Sequence, residues 1–365
     1  MPGFDRSYLP PAPMEVGIIG DTHFIQDVEA YAIEFDSVRQ WPARARRALE
    51  RLAELGAETV IHLGDLSEEP PGHADHDHSR KAGLQVMQDL GLQTHFVAGN
   101  MDIGDKPDPT MWTPPVQPQT LSWFENTFGP SWKSWDEGAI HFVLLNSQIL
   151  NAELPAAVQQ GEWLEADLAA HAGKRIFLFL HLPPFFVSEE EPDTGFYNSI
   201  DEPARSWFCQ LCRRHRVEAV FCGHTHFRAF NRIDETRFYV CPSTTTSRAG
   251  FYEAFSVAPP PEGGRNDPAK LGFGLLRIQE KGHRFHFIRT GGQTEIASDS
   301  GWCEILTRNS ADCPRSPLGL FLRLPLAEEV PGALAWPGVK RQRVRDDHPF
   351  LQAVEMGCRH LRFPA

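Results

Sequence analysis

The segment MEVGIIGDTH at residues 14–23 sets the fold class of the chain, because an apolar run ends in glycine, aspartate and histidine. Met14 to Ile19 has the length and composition of a buried β-strand. Pro42 to Leu55 has the periodicity of a helix with one apolar face, and Gly56 stops it. Thr59 to Leu63 repeats the strand pattern and again ends in Gly-Asp. This alternation of strands and helices predicts an α/β fold around a parallel or mixed sheet.

The same alternation continues along the chain. A helix is predicted near residues 81–90, strands at 94–97, 140–145, 175–180 and 219–222, and helices around 162–172 and 203–214. Beyond Gly223 the apolar runs become shorter, which predicts β-hairpins of a second sheet facing the first, at residues 226–233, 237–241, 274–279 and 284–288. Segments rich in proline, glycine and acidic residues predict surface loops at 102–119, 188–203 and 258–268.

The composition is that of a globular protein, since 41% of the 365 residues are hydrophobic and 23% are charged. The net charge of -13 disfavours binding to extended nucleic acid. The apolar runs are too short to span a membrane, and the first fifteen residues lack a secretion signal. Cys209 and Cys212 have zinc-type spacing without a second pair, so we expect two ordinary cysteines on a helix face. We expect a cytoplasmic protein with no membrane partner.

Polar residues able to bind metal ions follow five of the predicted strands. Because the carboxyl ends of strands gather at one edge of an α/β sheet, we expect these side chains to converge. Aspartate, asparagine and histidine without cysteine suit Mn²⁺, Fe or Zn²⁺. If Asp65 bridges, two ions each receive four protein ligands, whereas seven groups are too many for one catalytic ion. The seven residues are Asp21, His23, Asp65, Asn100, His181, His224 and His226.

A glycine precedes four of the seven residues in the chain. Gly20, Gly64, Gly99 and Gly223 lie directly before Asp21, Asp65, Asn100 and His224. Glycine adopts positive φ without a Cβ clash. We therefore expect these glycines to let the backbone turn sharply and to bring the ligands close to the ions.

In this order the motifs resemble those of the calcineurin-like, or purple-acid-phosphatase-like, metallophosphoesterases. The resemblance covers roughly residues 14–290 and rests on DTH at 21–23, GD at 64–65, GNMD at 99–102, His181, and GHTH at 223–226. LNSQ at 145–148, with Gln160, Trp163 and Leu164, is similar to the branch that contains cyclic-nucleotide phosphodiesterases and a serine/threonine phosphatase.

The resemblance implies a four-layer αββα sandwich of two mixed β-sheets with a dinuclear site at the sheet edge. The metallophosphoesterase domain would occupy residues 14–292, between an N-terminal extension at 1–13 and a C-terminal accessory segment at 293–365. One divalent ion would be held by Asp21, His23, Asp65 and His226. The other would be held by Asp65, Asn100, His181 and His224, which are also the predicted catalytic residues.

The implied activity is that of a metal-dependent phosphoric ester hydrolase. Attack of a metal-activated hydroxide would hydrolyse a small phosphate monoester, phosphodiester or pyrophosphate, with two divalent ions as cofactors, Mn²⁺ or Fe first and Zn²⁺ second. The family usually has histidine where this sequence has Met101, whose thioether donates no proton, so we expect good leaving groups to be favoured. A protein serine/threonine phosphatase and a non-catalytic binding or scaffold module are the alternatives.

Three features near the motifs have two interpretations each. The loop with His73, His76 and His78 either joins the site or is solvated. Met101 either packs in the core or shapes an apolar wall for the substrate. Asp102 either orients a ligand or caps the following turn.

Two charged segments are also open to interpretation. The acidic segment at 189–198 is either a lid or a solvated loop, with Phe196, Tyr197 and Asn198 as candidate substrate contacts. The basic segment at 340–345 lacks interleaved aromatic residues, so we expect a surface or acidic-partner contact there. Neither segment indicates a particular substrate.

Overall fold

The computed structural model describes residues 4–295, apart from 8, 32, 109, 110, 112, 193–196 and 249–260. Beyond residue 295 it describes 304–305, 319–321, 330–332, 342–344, 347–358 and 360–362. The α-helices of these residues are α1 (Trp41–Leu55), α2 (His76–Asp89), α3 (Asn100–Ile103), α4 (Pro118–Phe128), α5 (Pro155–Ala170), α6 (Ala204–Arg214) and α7 (His348–Glu355). Short 3-10 helices lie at Asp36–Gln40, Ser147–Ile149, Pro261–Gly264 and Pro268–Lys270.

The strands form two large sheets and three small pairs. Those of the large sheets are β2 (Met14–Ile19), β3 (Thr59–His62), β4 (Gln93–Phe96), β5 (Lys133–Glu137), β6 (Ile140–Leu144), β7 (Arg175–Phe179), β8 (Ala219–Cys222), β9 (Ala229–Ile233), β10 (Thr236–Val240), β11 (Gly272–Ile278) and β12 (His283–Arg289). The small pairs join β1 (Phe4–Asp5) to β13 (Glu304–Ile305), β14 (Leu320–Phe321) to β17 (Leu361–Arg362), and β15 (Val330–Gly332) to β16 (Gln342–Val344).

Both large sheets are mixed. One has the order β12-β11-β2-β3-β4, in which β2, β3 and β4 are parallel and β11 and β12 are antiparallel. The other has the order β5-β6-β7-β8-β10-β9, in which the four strands from β6 to β10 are parallel and the two edge strands are antiparallel. The carboxyl ends of the parallel strands therefore gather at one edge of each sheet.

The order of the helix and sheet layers can be seen from the two faces of each strand, because apolar side chains on one face contact the other sheet and those on the opposite face contact helices. On β7, Phe177 and Phe179 pack between the two sheets, where they meet Ile18 and Ile61 of the other sheet. Ile176 and Leu178 point to the opposite face and pack against α5 and α6, while α1 and α2 cover the outer face of the five-stranded sheet. A strand buried on both faces is apolar throughout, which is why these strands are recognisable in the sequence. The four-layer αββα sandwich is thus confirmed.

The prediction that the hairpins beyond Gly223 belong to a second sheet is only partly correct. The β9–β10 hairpin extends the sheet that contains β8, whereas the β11–β12 hairpin pairs with β2 in the other sheet. Each hairpin covers a strand edge that would otherwise leave backbone groups unpaired. Strands at residues 14–19 and 219–222 lie where they were predicted, but β5, which is half-exposed and polar, was not predicted. Helix α2 begins at His76, five residues before its predicted start.

Several other expectations can be compared with the described residues. Cys209 and Cys212 are unpaired and buried on α6, as expected for core cysteines. Within the residues that the structure describes, no helix combines the length and apolar character needed to cross a membrane. The C-terminal segment contacts the main sheets where Asp347 accepts the Phe230 N–H and Glu355 lies 2.5 Å from Arg228. The domain boundaries at residues 13 and 292 stay a prediction.

The two sheets are tied together at the amino ends of their parallel strands by Glu218. Its carboxylate lies 2.6 Å from Arg175 Nε on β7 and 2.7 Å from His283 Nδ1 on β12. Arg175 also donates to the carbonyls of Gln279 and Gly282, in the β11–β12 turn. Burial raises the pKa of Glu218, but Arg175 and His283 outweigh that effect and lower it to about 2. The ion pair therefore stabilises the packing of one sheet on the other.

Replacing this carboxylate should weaken the fold in a pH-dependent manner. Because its pKa falls from an ordinary 4.5 to about 2 on folding, Glu218 stabilises the native state fully above about pH 4.5 and loses that effect as the pH falls towards 2. We expect Glu218→Gln to lower the free energy of unfolding by about 2 kcal/mol at pH 7. This value lies between the effect of breaking an exposed ion pair and that of breaking a buried one, because Glu218 is partly buried. Urea unfolding of both chains from pH 2 to 7 should show the difference shrinking in acid, and a constant difference would contradict this account.

Candidate functional site

The structure brings all seven predicted residues together at the carboxyl edge of the sheets. Asp21 and His23 follow β2, Asp65 follows β3, and the others lie on α3 and beyond β7 and β8. All seven are at most 5% exposed. Their ligand atoms form two groups, each with members within 4.8 Å of one another, and Asp65 belongs to both. The first group is Asp21, His23, Asp65 and His226; the second is Asp65, His181 and His224, joined by the Asn100 amide.

The first group places two carboxylates around two imidazoles. His23 Nε2 lies 3.0 Å from His226 Nε2 and 4.0 Å from both Asp21 Oδ1 and Asp65 Oδ2. Asp21 Oδ1 is 3.4 Å from His226 Nε2. These atoms are potential electron-pair donors within 4.8 Å of one another, a spacing that suits a divalent cation.

The second group is built around the other face of Asp65. His181 Nε2 lies 3.3 Å from Asp65 Oδ2 and 3.1 Å from Asn100 Oδ1. The same Asn100 oxygen is 3.0 Å from His224 Nδ1. One carboxylate, one amide oxygen and two imidazoles suit Mn²⁺, Fe or Zn²⁺, and Asp65 is positioned to bridge the two groups.

Five of the seven residues have left-handed backbone conformations. Residues other than glycine adopt positive φ at a cost of order 1–3 kcal/mol each, so the surroundings must hold them in place. Both Asp21 carboxylate oxygens lie 3.1 Å from the His224 N–H, and the Asp65 carbonyl accepts the His23 N–H. Such strain, concentrated where side chains converge, is typical of functional sites. The five are Asp21, His23, Asp65, His224 and His226, with φ between 43° and 71°.

The expectation for the four preceding glycines is only partly correct. Gly64 alone among them has a positive φ, of 101°. The others are required by close approach: a Cβ at Gly223 would lie 2.7 Å from Asp21 Oδ2, and one at Gly99 would overlap the Asp65 carboxylate. The sharp turn is therefore made mainly by the ligand residues themselves, and the small glycines make room for it.

Two histidines have their outer nitrogens fixed by neighbouring acceptors. His181 Nδ1 lies 2.7 Å from the Leu63 carbonyl, to which it donates, so its Nε2 faces the cluster. His23 Nδ1 lies 2.7 Å from Glu68 Oε2, and Glu68 in turn accepts from the Tyr31 hydroxyl. Such partners fix the tautomer and orientation of metal-binding histidines. The donor set therefore fits a divalent metal, and sequence reasoning missed Glu68 because nothing local distinguishes it.

The cluster has a negative potential that favours a cation. Burial lowers the pKa of His181, but the carboxylates of Asp65 and Asp21 more than compensate and raise it to about 9. Burial, reinforced by the positive charge of Arg248, lowers the pKa of His224 and His226 well below the ordinary value. The inward nitrogens of these two histidines are therefore available as ligands at neutral pH.

Asp102 supports the turn that carries Asp65. Its carboxylate accepts backbone N–H bonds from Asp65 at 2.9 Å, Leu66 at 3.0 Å and Gly99 at 2.8 Å. Burial, reinforced by the charge of Asp65, raises the pKa of Asp102 to about 6. Asp102 therefore holds the turn of Asp65, a predicted ligand, and it caps the amino end of its own helix α3 rather than the turn that follows.

Met101 and the histidine loop take no part in either group. Met101 is 2% exposed, and its N–H donates to Asp65 Oδ1, so the side chain packs inside the protein. His76 is buried with Nδ1 2.6 Å from the Glu69 carbonyl. His73 and His78 are exposed beside Asp75. Among the described residues, therefore, none of the three histidines joins the predicted ligands.

A second layer of residues lies above the His224 side of the site. The Tyr197 hydroxyl accepts from Asn100 Nδ2 at 3.1 Å, and its ring is 4.7 Å from that of His224. Arg248 lies over the Tyr197 ring, with its guanidinium carbon 5.4 Å from the centroid, and donates to Asn198 Oδ1 at 2.7 Å. Sequence reasoning proposed Tyr197 and Asn198 as substrate contacts but missed Arg248, which no motif marks.

In its described part, at 189–192 and 197–198, the acidic segment is only partly exposed to solvent. Glu191 is buried and accepts the Phe186 and Val187 N–H groups, and Glu189 pairs with Arg213. Phe196 lies outside the described residues. The basic segment at 340–345 is described only at 342–344, which form β16.

Comparisons with known proteins identify similar sequences and a similar fold. The family model described as calcineurin-like phosphoesterase matches residues 14–228. The serine/threonine-protein phosphatase CPPED1 of Danio rerio is 26% identical over 213 residues, which cover 56% of this chain and 65% of that protein. The Bos taurus protein of the same name is 29% identical over 195 residues, which cover 51% and 59%. The chain thus spans less than two thirds of the length of the curated relatives that it matches.

A solved structure has a similar fold. It is described as a dimetal phosphatase from Danio rerio and aligns with a TM-score of 0.50. The alignment covers 76% of this chain and 99% of that chain at 14% sequence identity. A likeness at this identity shows the shared fold alone.

Removal of Glu68 should weaken metal binding without disturbing the fold. Because Glu68 orients His23, we expect Glu68→Ala to raise the dissociation constant for Mn²⁺ by about 10- to 100-fold. Glu68→Gln should have a smaller effect, since its amide oxygen keeps an acceptor atom beside His23 Nδ1. Isothermal titration calorimetry measures the constants. Glu153→Ala, at an exposed position before α5, is the control. Unchanged affinity in Glu68→Ala would show that this carboxylate does not position His23.

Proposed function

Because the chain belongs to the calcineurin-like phosphoesterase family, we propose that it is a metal-dependent hydrolase of small phosphate esters, phosphodiesters or pyrophosphates. The observation that carries the proposal is the convergence of seven buried donor residues into two groups that share Asp65. We assign two divalent ions to these groups, Mn²⁺ or Fe in preference to Zn²⁺. A cytoplasmic location is part of the proposal, and the described cysteines, all unpaired, support it.

The chemistry at the site is divided between the ions and the protein. A pair of divalent cations would supply Lewis acidity and a water of lowered pKa. The protein contributes ligands in fixed positions. Asp65 lies near two of the histidines, and so does Asn100. Because the donor atoms are already in place, little reorganisation is needed when the substrate binds.

Arg248 is a cation that could contact a phosphoryl group at this site. Its charge is close enough to act on both His224 and His226, and Asn198 and the Tyr197 ring hold its guanidinium. Arginine binds phosphate oxygens through parallel N–H bonds. A substrate seated at the His224 side would therefore contact Arg248 and Tyr197, which supports a small phosphorylated substrate despite the net charge of -13.

The proposed preference for certain leaving groups rests on Met101. The thioether at this position cannot protonate a departing oxygen, and loss of a general acid lowers a rate by about 10²- to 10⁴-fold. Acidic leaving groups such as phenols or the phosphate of a pyrophosphate depart without a proton. The proposed enzyme therefore favours good leaving groups.

Dephosphorylation of phosphoserine or phosphothreonine in proteins is the second candidate. The CPPED1 relatives carry the name of a serine/threonine-protein phosphatase, which favours it. A binding or scaffold module is less well supported, because none of the seven donor residues is missing.

Chelation should abolish the activity. We expect dialysis against a chelator to abolish hydrolysis of an aryl phosphate or a bis-aryl phosphate, and added Mn²⁺ to restore it.

His181→Ala should lower kcat/KM by more than about 100-fold, because loss of a direct ligand exceeds the effect of losing a supporting residue. His78→Ala, at an exposed histidine, should leave kcat/KM unchanged. Turnover that persists in chelator would rule out the proposal.

A leaving-group series tests the role assigned to Met101. We expect log kcat/KM for aryl and alkyl esters to fall steeply as the pKa of the leaving group rises. Met101→His should raise the rate on the poorest leaving groups by about 100-fold and flatten the series, because it supplies a proton donor. Met101→Leu, which keeps the apolar volume, is the control and should follow the original slope. A flat series in the unsubstituted protein would mean that another residue donates the proton.

A further inference from the structure

A buried lysine lies close to the site but belongs to neither group of donors. Lys106 follows α3 and is 3% exposed. Lysine is almost never fully buried unless it is paired. Its ammonium donates to the Ser199 carbonyl at 2.6 Å and to Asp201 Oδ2 at 2.7 Å. These bonds join the loop after α3 to residues 197–201, which we call the 197–201 segment.

The 197–201 segment holds the arginine that is proposed to contact the substrate. Asn198 Oδ1 accepts from Arg248 at 2.7 Å, and the Tyr197 ring lies beneath its guanidinium. Asn198 is 3% exposed and Ser199, the next residue, is 1% exposed, so both are enclosed by protein. Movement of the Ser199 carbonyl would therefore also move the amide that holds Arg248.

Asp201 is the fixed point to which Lys106 is attached. The Asp201 carbonyl accepts from the Asn151 side-chain amide at 2.9 Å and from the N–H of Arg205, in the first turn of α6. These bonds do not involve Lys106, so they hold Asp201 in place without it. An ammonium has three donors, so one lysine can hold a carboxylate and a carbonyl at the same time. Loss of the ammonium would thus loosen the residues before Asp201 rather than α6.

We propose that Lys106 positions Arg248 for substrate binding without touching the substrate. Its ammonium is directed at Ser199 and Asp201, and it acts on Arg248 through Asn198. This role rests on the proposed function, because that function places the phosphoryl group of the substrate against Arg248. The loop after α3 then contributes to substrate binding through Lys106 as well as to the metal site through its helix.

Metal binding does not depend on this lysine. The Asp65 N–H donates to Asp102, and His181 Nδ1 donates to the Leu63 carbonyl. Neither contact passes through Lys106. We therefore expect loss of Lys106 to weaken phosphate binding and to leave the affinity for Mn²⁺ unchanged.

Titration of inorganic phosphate into the Mn²⁺-loaded full chain tests the role. We expect Lys106→Met to raise the dissociation constant for phosphate by about 10-fold, the effect of losing a hydrogen bond to a charged group. KM for an aryl phosphate should rise in parallel while kcat stays within about 2-fold, because the lost interaction binds substrate and transition state alike. Unchanged phosphate affinity, or weaker binding of Mn²⁺ in a calorimetric titration, overturns the proposal.

Lys174→Met is the matched control for the loss of a paired lysine. The Lys174 ammonium also contacts a carboxylate and a carbonyl, 2.7 Å from Asp136 Oδ2 and 3.3 Å from the Gly138 oxygen, at the amino edge of the six-stranded sheet. Its replacement should leave the phosphate dissociation constant unchanged. Equal losses in the two lysine variants overturn the proposal.

Asp201→Asn provides a second variant that keeps the shape of the side chain. It leaves the Lys106 ammonium with neutral acceptors, so we expect it to weaken phosphate binding by about 3- to 10-fold. If Lys106→Met does not fold, this variant decides the question. Unchanged phosphate affinity in Asp201→Asn then overturns the proposal.

A double variant separates positioning from a direct effect of charge. Burial, followed by positive charges that include those of Arg248 and Lys106, lowers the pKa of His224, so the lysine also acts through space. If Lys106 works through Arg248, Lys106→Met/Arg248→Ala should bind phosphate no more weakly than Arg248→Ala alone. Losses that multiply in the double variant show a direct charge effect and overturn the proposal. Phosphate titration needs no turnover, so a chain that shows the expected pattern but hydrolyses no aryl phosphate contradicts the proposed function and supports this role.

Discussion

The turn at Asp65 is the constraint on which the candidate site depends, because each polar group of this residue holds a different neighbour. One carboxylate oxygen lies 3.3 Å from His181 and the other accepts the Met101 N–H. The backbone carbonyl accepts the His23 N–H, and the backbone N–H donates to Asp102. A single strained residue thus fixes the relative positions of the loops after β2, β3, β4 and β7. Its replacement would displace four loops as well as remove one ligand.

Features that depend on local pattern were predictable from the sequence. The strands at 14–19 and 219–222 are covered on both faces, so their apolar runs mark them from end to end. The half-exposed edge strand β5 lacks such a run, and the hairpins β9–β10 and β11–β12 are placed by pairing with strands far away in the chain. Composition identifies a hairpin but not the sheet edge that it covers.

The same division applies to the site. Strand polarity brings polar residues that follow strands to one edge, so the seven donor residues could be found before their distances were known. Glu68, Tyr197 and Arg248 could not, because loops place them against the donors and no spacing rule governs loops. The left-handed backbone was also unforeseen: the glycines suggested that they would make the turns, whereas Asp21 and four other donors make most of them. Close packing of donor atoms, rather than loop flexibility, determines that geometry.

The parallel strands have two ends with different properties. Residues with strained backbone lie at the carboxyl ends, and ion pairs lie at the amino ends. At the carboxyl edge, five residues with positive φ cost stability and bring like-charged carboxylates together. At the amino edge, Glu218 bridges Arg175 and His283, and His141 lies between Asp136 and Asp167, so each carboxylate has a basic partner where no substrate has to bind. The fold therefore keeps the electrostatically unfavourable site apart from the ion pairs that stabilise the protein. The two lie at opposite ends of the same strands, so neither has to be weakened to make room for the other.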